Sequence, residues 1–180
     1  MRHFILALCL FATSAFAEDI GNNSVCFVPG PEDCAMVAVG EIAKAQRTIS
    51  VQAYQLTEPH ITQALIDAKE RGVSVRLIVD KTAPKERNGE TITLANAGIP
   101  TWVDYKPRIA HNKVIVIDAG LPDAEVLQGS FNWTTNAALH NSENLLVMRD
   151  AALASAYETN FENRLELSAD LNSYEQSRSH

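Results

Sequence analysis

Hydrophobic and polar positions follow two periods along the chain, one typical of strands and one typical of helices. Runs rich in β-branched and aromatic residues predict strands, and apolar residues at helical spacing predict helices between them. The predicted strands are residues 25–28, 48–56, 73–79, 99–103, 113–118, 124–128 and 143–148. The predicted helices are residues 31–45, 57–71, 90–97 and 150–167. Because strands and helices alternate in the first half, we predict a single three-layer α/β/α sandwich with a mainly parallel central sheet.

The two ends of the chain depart from this central pattern. Arg2, an apolar run over residues 4–12 and small residues at 15–17 are typical of a signal peptide that is cleaved after Ala17. The apolar run is too short to remain as a membrane-spanning helix. We therefore expect an exported protein, periplasmic or secreted, without a transmembrane anchor. One domain is expected over residues 18–167, followed by a disordered tail over residues 168–180.

Two cysteines, Cys26 and Cys34, remain after the predicted signal peptide. Cysteines eight residues apart in an exported chain favour a disulfide bond. Two buried free thiols are the alternative, because free cysteine is commonly buried. No second Cys/His pair at ligand spacing accompanies these cysteines, so we predict no metal site.

Charge is unevenly distributed along a chain whose formal net charge is −7. A negative protein binds polyanions poorly unless its basic residues are concentrated in one place. Residues 81–113 contain six basic and three acidic residues, whereas residues 150–180 contain two basic and six acidic ones. The basic segment predicts a local phosphate-binding patch, with an ordinary solvated surface as the alternative. The candidate binding residues are Lys81, Lys85, Arg87 and Arg108.

The strongest candidate for chemistry is the segment His-Asn-Lys-Val-Ile-Val-Ile-Asp at residues 111–118. Side chains alternate between the two faces of an extended segment, so His111 and Lys113 would project together. An imidazole can attack phosphorus or donate a proton near neutral pH, and a lysine ammonium can neutralise a phosphoryl oxygen. Asp118 has the opposite parity and closes the predicted strand. We expect Asp118 to anchor this motif rather than to contact substrate.

Two later segments are predicted to deliver polar side chains to the same place. Ser130 and Asn132 follow one predicted strand and share parity, and Asn141 and Glu143 precede the next strand and also share parity. Three consecutive extended segments would then converge on one site. A solvent-exposed pair at a strand edge is the alternative for the histidine and lysine. The candidate catalytic residues are His111, Lys113, Asp118, Ser130, Asn132 and Glu143.

These motifs resemble the signature of the phospholipase D superfamily, His-x-Lys-(x)4-Asp followed by Gly-Ser-x-Asn. More narrowly, the chain is similar to the short bacterial endonucleases of that superfamily found on conjugative plasmids. The resemblance runs from about Val25 to Arg164, and it implies a phospholipase D-like catalytic domain over residues 18–167. It includes residues 51–54, 64–69, 96–100 and 110–113. The segment between Asp118 and Gly129 departs from it, because this segment is longer than a tight hairpin.

The resemblance implies two histidines per active site, one that attacks phosphorus and one that protonates the leaving oxygen. This chain has a single motif, because none of its other histidines is followed by a lysine two residues later. A complete site would therefore need two chains whose motifs meet across a twofold axis. The resemblance thus predicts a homodimer with the active site at the subunit interface.

The resemblance also implies a role for each remaining candidate. Lys113 and Asn132 would bind the non-bridging oxygens as negative charge builds up. Ser130 would donate to the same oxygens or position the end of its strand. Glu143 would accept the far ring N–H of His111, with an ordinary surface carboxylate as the alternative. The chemistry implied in this way requires no metal and no cofactor.

The predicted function is an exported, metal-independent phosphodiesterase that cleaves DNA, with RNA as a further substrate, through a phosphohistidine intermediate. No base-reading motif is present, and phosphate contacts carry no sequence information, so we expect no strong sequence preference. A lipid phosphodiesterase acting on a phospholipid head group is one alternative, although no basic amphipathic anchor helix accompanies the motif. A non-catalytic nucleic-acid-binding module of a transfer apparatus is the other, although binding alone requires no nucleophile.

Overall fold

The structure, a computed structural model, describes residues 18–178, so the predicted signal peptide lies outside the described residues. The strands are β1 (Glu18–Ile20), β2 (Asn23–Val28), β3 (Thr48–Ala53), β4 (Ser74–Asp80), β5 (Thr101–Asp104), β6 (Lys113–Ile117), β7 (Glu125–Gly129), β8 (Glu143–Arg149) and β9 (Ala169–Asp170). The helices are α1 (Cys34–Lys44), α2 (Pro59–Glu70), α3 (Thr91–Asn96), α4 (Thr135–Leu139), α5 (Ala151–Leu165) and α6 (Leu171–Ser177). Within the predicted loop over residues 81–89, Ala83–Lys85 form a short 3-10 turn.

The strands form one mixed sheet in the order β1-β2-β8-β7-β6-β3-β4-β5-β9. Parallel pairing is confined to β3 with β4 and β4 with β5, where α2 and α3 provide the crossovers. The other six pairings within the described chain are antiparallel. The α/β class is confirmed, but the prediction of a mainly parallel sheet is wrong. The reason is that β6, β7 and β8 follow one another without long crossover helices, and short connections join antiparallel neighbours.

Helices cover both faces of the sheet, as the three-layer prediction requires. Alternate residues of a strand point to opposite faces, and β6 shows this directly. Ile115 belongs to the same buried cluster as Ile42 of α1 and Leu65 of α2. Val116 belongs to a second buried cluster with Ala154 of α5. The sheet is therefore buried between α1 and α2 on one face and α5 on the other.

The C-terminal tail is ordered, so the prediction of disorder over residues 168–180 is wrong for the part that the structure describes. β9 extends the sheet by pairing with β5, and α6 follows it. The side chain of Asp170 caps α6 by accepting the N–H groups of Asn172 and Ser173. Leu171 and Tyr174 are buried. An N-cap followed by apolar residues three apart is enough to dock a two-turn helix.

The predicted disulfide bond is present. Cys26 of β2 and Cys34 of α1 are bonded, with their Cα atoms 5.7 Å apart, and both side chains are buried. The bond fixes the first residue of α1 to the sheet. In the described part of the chain, no helix has the length and apolar character needed to cross a membrane.

Candidate active site

The predicted catalytic residues, except Asp118, come from neighbouring strands whose termini meet at one end of the sheet. Lys113 begins β6 and lies opposite Ala53 at the end of β3. Ser130 follows the end of β7, and Glu143 begins β8. Because β6, β7 and β8 are antiparallel neighbours, the start of β6, the end of β7 and the start of β8 adjoin. We call this the site end of the sheet.

Tyr54, the first residue after β3, connects the histidine and the lysine of the motif. The ring centroids of Tyr54 and His111 are 4.5 Å apart, with an angle of 52° between the ring planes. The Nζ atom of Lys113 lies 5.0 Å from the centroid of the same tyrosine ring. This ammonium also donates to the backbone oxygen of His111, at 2.9 Å. The two predicted residues are therefore held around one aromatic ring, a role that the sequence did not assign to Tyr54.

Lys113 is a buried cation, whereas the side chain of His111 is exposed. Burial lowers the pKa of the Lys113 ammonium, because desolvation disfavours the charged form. The negative charge of Glu143 acts in the opposite direction and raises this pKa in part. Lys113 and Glu143 thus form an electrostatic pair at the site end, beside an imidazole that solvent can reach.

Glu143 has partners other than the one predicted for it. Its Oε2 accepts the hydroxyl of Ser130, and its Oε1 accepts the side-chain amide of Asn141 at 2.9 Å. Ser130 also accepts the backbone N–H of Asn144, at 3.1 Å. Within the described chain Glu143 makes no hydrogen bond to His111, so that prediction is wrong for a single subunit. In the described chain its carboxylate oxygens are held instead by Ser130, which follows β7, and by Asn141, which precedes β8. Ser130 joins the ends of β7 and β8.

Asp118 lies at the opposite end of β6 and is buried. Its carboxylate accepts the backbone N–H groups of Gln46, Arg47 and Thr48 at 2.7, 2.6 and 2.9 Å. Its φ angle is +54°, a left-handed conformation that aspartate tolerates better than most residues. Asp118 therefore ties β6 to the segment that enters β3, which is the anchoring position expected from its parity.

Replacing Asp118 with alanine is expected to lower the free energy of unfolding by roughly 2–4 kcal/mol, because three backbone N–H groups lose a charged acceptor that is itself buried. Alanine at a positive φ angle adds a further, smaller penalty. Urea denaturation measures the loss. The matched control is Asp123→Ala, since Asp123 is exposed and accepts only the side-chain amide of Gln46. Equal losses in the two variants would contradict the anchoring role.

Asn132 lies beside a cleft of about 440 Å³ at the site end. The backbone oxygen of the next residue, Trp133, accepts the N–H groups of Thr57 and Glu58. These bonds pack the segment after β7 against the segment after β3. The Oδ1 atom of Asn132 is buried without a hydrogen-bond partner. The lining residues are Gln55, Thr57, Glu86, Arg87, Asn88, Asn132, Thr134, Thr135, Asn136 and Asn141.

A second cavity, of about 490 Å³, adjoins this cleft and is rich in cations. Gln55 and Glu86 line both cavities and are hydrogen-bonded to each other at 2.8 Å, so they form a shared wall. Burial raises the pKa of the Glu86 carboxyl, and hydrogen bonds from Leu56 and Gln55 lower it in part. The other residues that line the second cavity are Lys81, Thr82, Lys85 and Arg178.

The four predicted phosphate-binding residues are separated by this arrangement. Lys81 and Lys85 line the cationic cavity, and Arg87 lines the cleft beside Asn132. Arg108 is exposed and lines neither of these two cavities. The ammonium of Lys81 also donates to the backbone oxygen of Pro107, at 2.9 Å, which fixes the segment leading to His111. Arg178 was not among the predicted binding residues, because it lies in the tail that was expected to be disordered.

No group of three or more His, Cys, Asp or Glu side chains in residues 18–178 is placed to hold a metal ion. The positive charge that the described site offers to a phosphate comes from side chains. These are the ammonium of Lys113 and the cations of the neighbouring cavity.

Comparisons with known proteins agree on one family. The family described as "Cardiolipin synthase, PLD-like domain" matches residues 39–165. The chain belongs to the phospholipase D superfamily. A relative named phospholipase D, from Rickettsia prowazekii, is 41% identical over 143 residues, which cover 79% of this chain and 67% of that protein.

Solved structures of the phospholipase D superfamily share the fold. The phospholipase D family member Nuc from Salmonella typhimurium is 32% identical, with a TM-score of 0.73 over 82% of this chain and 96% of that one. NucT from Helicobacter pylori is 22% identical, with a TM-score of 0.74 over 83% of this chain and 98% of that one. The resemblance seen in the motifs is confirmed, and the chain is a phosphodiesterase of this superfamily.

Proposed function

We propose that the chain is an exported endonuclease that cleaves DNA, and also RNA, through a phosphohistidine formed on His111. The observation that carries this proposal is the pair of polar cavities at the site end, one lined by Lys81, Lys85 and Arg178 and the other largely by side-chain amides. A nucleic acid offers phosphates and polar bases to such surfaces. Export is supported by the bonded Cys26 and Cys34, because disulfides persist in oxidising compartments.

The proposed reaction has two steps. A ring nitrogen of His111 attacks phosphorus, the P–N bond forms as one P–O ester bond breaks, and the leaving oxygen takes a proton from the His111 of a second subunit. That second imidazole then removes a proton from water, and the resulting hydroxide attacks the phosphohistidine and releases His111. The exposure of the His111 ring, whose side-chain contact among the described residues is the tilted ring of Tyr54, supports the nucleophilic role.

The other site residues would stabilise charge and hold geometry. Lys113 and the amide of Asn132 would bind the non-bridging oxygens in the transition state. Glu143 would keep Lys113 charged, because its carboxylate opposes the effect of burial on the lysine pKa. Ser130 would position Glu143 through their hydrogen bond. In a dimer, the carboxylate of Glu143 would remain available to accept an imidazole N–H as a third hydrogen bond.

The homodimer belongs to the same proposal. Three large apolar side chains are exposed around the site end: Phe27 of β2 at 54%, Ile109 near His111 at 49% and Leu139 of α4 at 62%. Phe27 lies opposite Asn144, next to the start of β8. Apolar residues of this kind are suited to the centre of a twofold interface. Such an interface would bring two copies of His111 towards one phosphate.

A phospholipid head group is the second candidate substrate, and one observation favours it. The relative from Rickettsia prowazekii is named phospholipase D. The same phosphohistidine chemistry would act on a lipid phosphodiester. The mainly polar lining of the cleft beside Asn132 favours nucleic acid, because it offers little apolar surface for an acyl chain.

The direct test incubates the purified mature protein with plasmid DNA and, in parallel, with phosphatidylglycerol vesicles, each with and without EDTA. We expect DNA cleavage that survives EDTA, because the charge on the phosphate is neutralised by Lys113 and amides. The His111→Ala variant serves as the control for a contaminating nuclease. Turnover of the vesicles with no DNA cleavage would replace the nuclease proposal by the lipid one. Loss of activity in EDTA, restored by a divalent cation, would contradict the mechanism.

A further inference from the structure

The cleft beside Asn132 has a lining that phosphodiester hydrolysis does not by itself require. All ten of its lining residues are polar, and five of them carry a side-chain amide. Only Asn132 among the five belongs to the superfamily motif. The other four amides come from three separate segments that meet at the site end: Gln55, Asn88, Asn136 and Asn141.

Two residues that line this cleft each carry an unsatisfied acceptor atom. Glu86 Oε2 and Asn132 Oδ1 are both buried and have no hydrogen-bond partner. Buried polar atoms are nearly always paired, so an unpaired one calls for an explanation. Because both residues line the cleft, a ligand that carries N–H or O–H donors is the partner that would satisfy them. A bare phosphate in its ionised form would supply acceptors only.

The walls of the cleft are fixed by backbone hydrogen bonds. The N–H of Gly89 donates to the oxygen of Glu86 at 3.0 Å, and the N–H of Glu90 donates to Leu56 at 2.9 Å. Between Glu86 and Gly89, Asn88 adopts a φ angle of +58°, which asparagine tolerates well. The tight turn thus presents Glu86 and Asn88 to the cleft, and the side-chain amide of Gln55 holds the Glu86 carboxylate.

The opposite wall is equally well supported. The hydroxyl of Thr134 accepts the N–H of Ala137 at 3.1 Å, and the hydroxyl of Thr135 donates to the backbone oxygen of Thr57 at 3.3 Å. The cleft is therefore formed before any ligand binds. Pre-formed walls reduce the entropy lost on binding.

We infer that this amide-lined cleft binds the base of a nucleotide next to the scissile phosphate. The inference deepens the proposed function and rests on it. Base edges carry N–H donors beside carbonyl or ring-nitrogen acceptors, and asparagine and glutamine amides match them in pairs. The volume of about 440 Å³ falls within the range of small-molecule sites. No aromatic residue lines the cleft, so recognition would use hydrogen bonds along a base edge rather than stacking.

The position beside the scissile phosphate follows from the residues that the two sites share. Asn132 lines the cleft, and the proposed mechanism uses the same side chain to bind a non-bridging oxygen. Arg87 also lines the cleft and would pair with a phosphate at its mouth. The endonuclease would then show a base preference at one position.

The test uses short substrates with one phosphodiester bond. A dinucleoside monophosphate is compared with two analogues, one abasic on the 5′ side of the phosphate and one abasic on the 3′ side. We expect kcat/KM to fall about 10- to 100-fold for one analogue and little for the other, as the loss of one or two base contacts predicts. Equal kcat/KM for all three substrates would overturn the inference while leaving the proposed nuclease function intact.

Variants locate the effect in the cleft. Asn136→Ala removes one amide, and Asn88→Gly removes another without forcing a new residue into the left-handed conformation. Each should lower kcat/KM about tenfold on the dinucleotide and leave the sensitive abasic analogue unaffected. Asn172→Ala, an exposed asparagine of α6 outside the cleft, is the matched control and should match wild type on every substrate. Equal losses of kcat/KM by these variants on the intact and abasic substrates would also overturn the inference.

A parallel assay with phosphatidylglycerol separates this inference from the proposed function. If the cleft variants lose activity only on phosphatidylglycerol and cleave the dinucleotide normally, the cleft would be assigned to a lipid head group and the base site would be overturned. Wild-type protein that cleaves phosphatidylglycerol but no nucleic acid of any length would overturn both the nuclease proposal and the base site. Cleavage of plasmid DNA together with equal turnover of intact and abasic substrates would overturn the base site alone.

Discussion

Replacing His111 with alanine is expected to reduce phosphodiester hydrolysis roughly 10⁴- to 10⁶-fold, the size of effect seen when a covalent nucleophile is removed. The residual rate would come from charge stabilisation alone. The fold should be unaffected, because the His111 side chain is exposed and its only described side-chain contact is the ring of Tyr54. Initial rates and thermal unfolding of the variant measure the two parts of this prediction.

The matched control for this variant is His140→Ala. His140 is also exposed, and it follows α4 outside the motif. It should keep the activity of the wild type. A phosphorylated protein that is labile in acid, stable in base and absent from the His111→Ala variant would identify the intermediate. Retention of more than about a hundredth of the activity would remove His111 from the nucleophilic role, since nucleophile variants lose far more.

Replacing Lys113 with methionine is expected to lower kcat about 10²- to 10³-fold, comparable to the loss of one transition-state donor. Methionine fills a similar volume, so the buried site should stay packed. Lys44→Met is the matched control, because Lys44 is an exposed lysine that ends α1 and lies outside the site end. A Lys113→Met variant with kcat near that of the wild type would exclude the ammonium from charge stabilisation.

The pH dependence of the wild type should report the same lysine. Burial lowers the pKa of Lys113, so activity should fall as the pH rises through this lowered value and the ammonium loses its charge. Glu143 raises this pKa in part. The Glu143→Gln variant should therefore lose activity at a lower pH than the wild type does. A loss at higher pH than in the wild type would contradict the assigned pairing.

Sequence spacing predicted which side chains meet at the site end, because side-chain parity is a local property of an extended chain. Lys113 and Asp118 lie at opposite ends of β6, so the spacing also separates the anchoring residue from the site end. The partner of Glu143 was not predictable in the same way. In the described chain its oxygens accept from Ser130 and Asn141, and which side chains meet there depends on how three strand ends are spaced.

Sheet direction and the two cavities were the least predictable parts. The antiparallel hairpins from β6 to β8 have apolar runs that resemble those of buried parallel strands. The cleft is lined by Gln55, Glu86 and Asn132, which come from three distant segments. No local pattern links such residues. α6 was missed because its polar composition hid the two buried side chains of Leu171 and Tyr174.

Subunit mixing tests the central claim, that two chains supply one histidine each to every active site. Wild-type and His111→Ala chains are mixed in equal amounts under conditions of verified exchange, which yields roughly a quarter wild-type, a half mixed and a quarter doubly mutant dimers. If two chains share each site, activity per total dimer should be about a quarter of the wild-type value, because mixed dimers lack either the nucleophile or the acid. Activity near about one half would mean that each chain builds a whole site. The second histidine would then have to be His60, which is paired with Glu58, or the exposed His140.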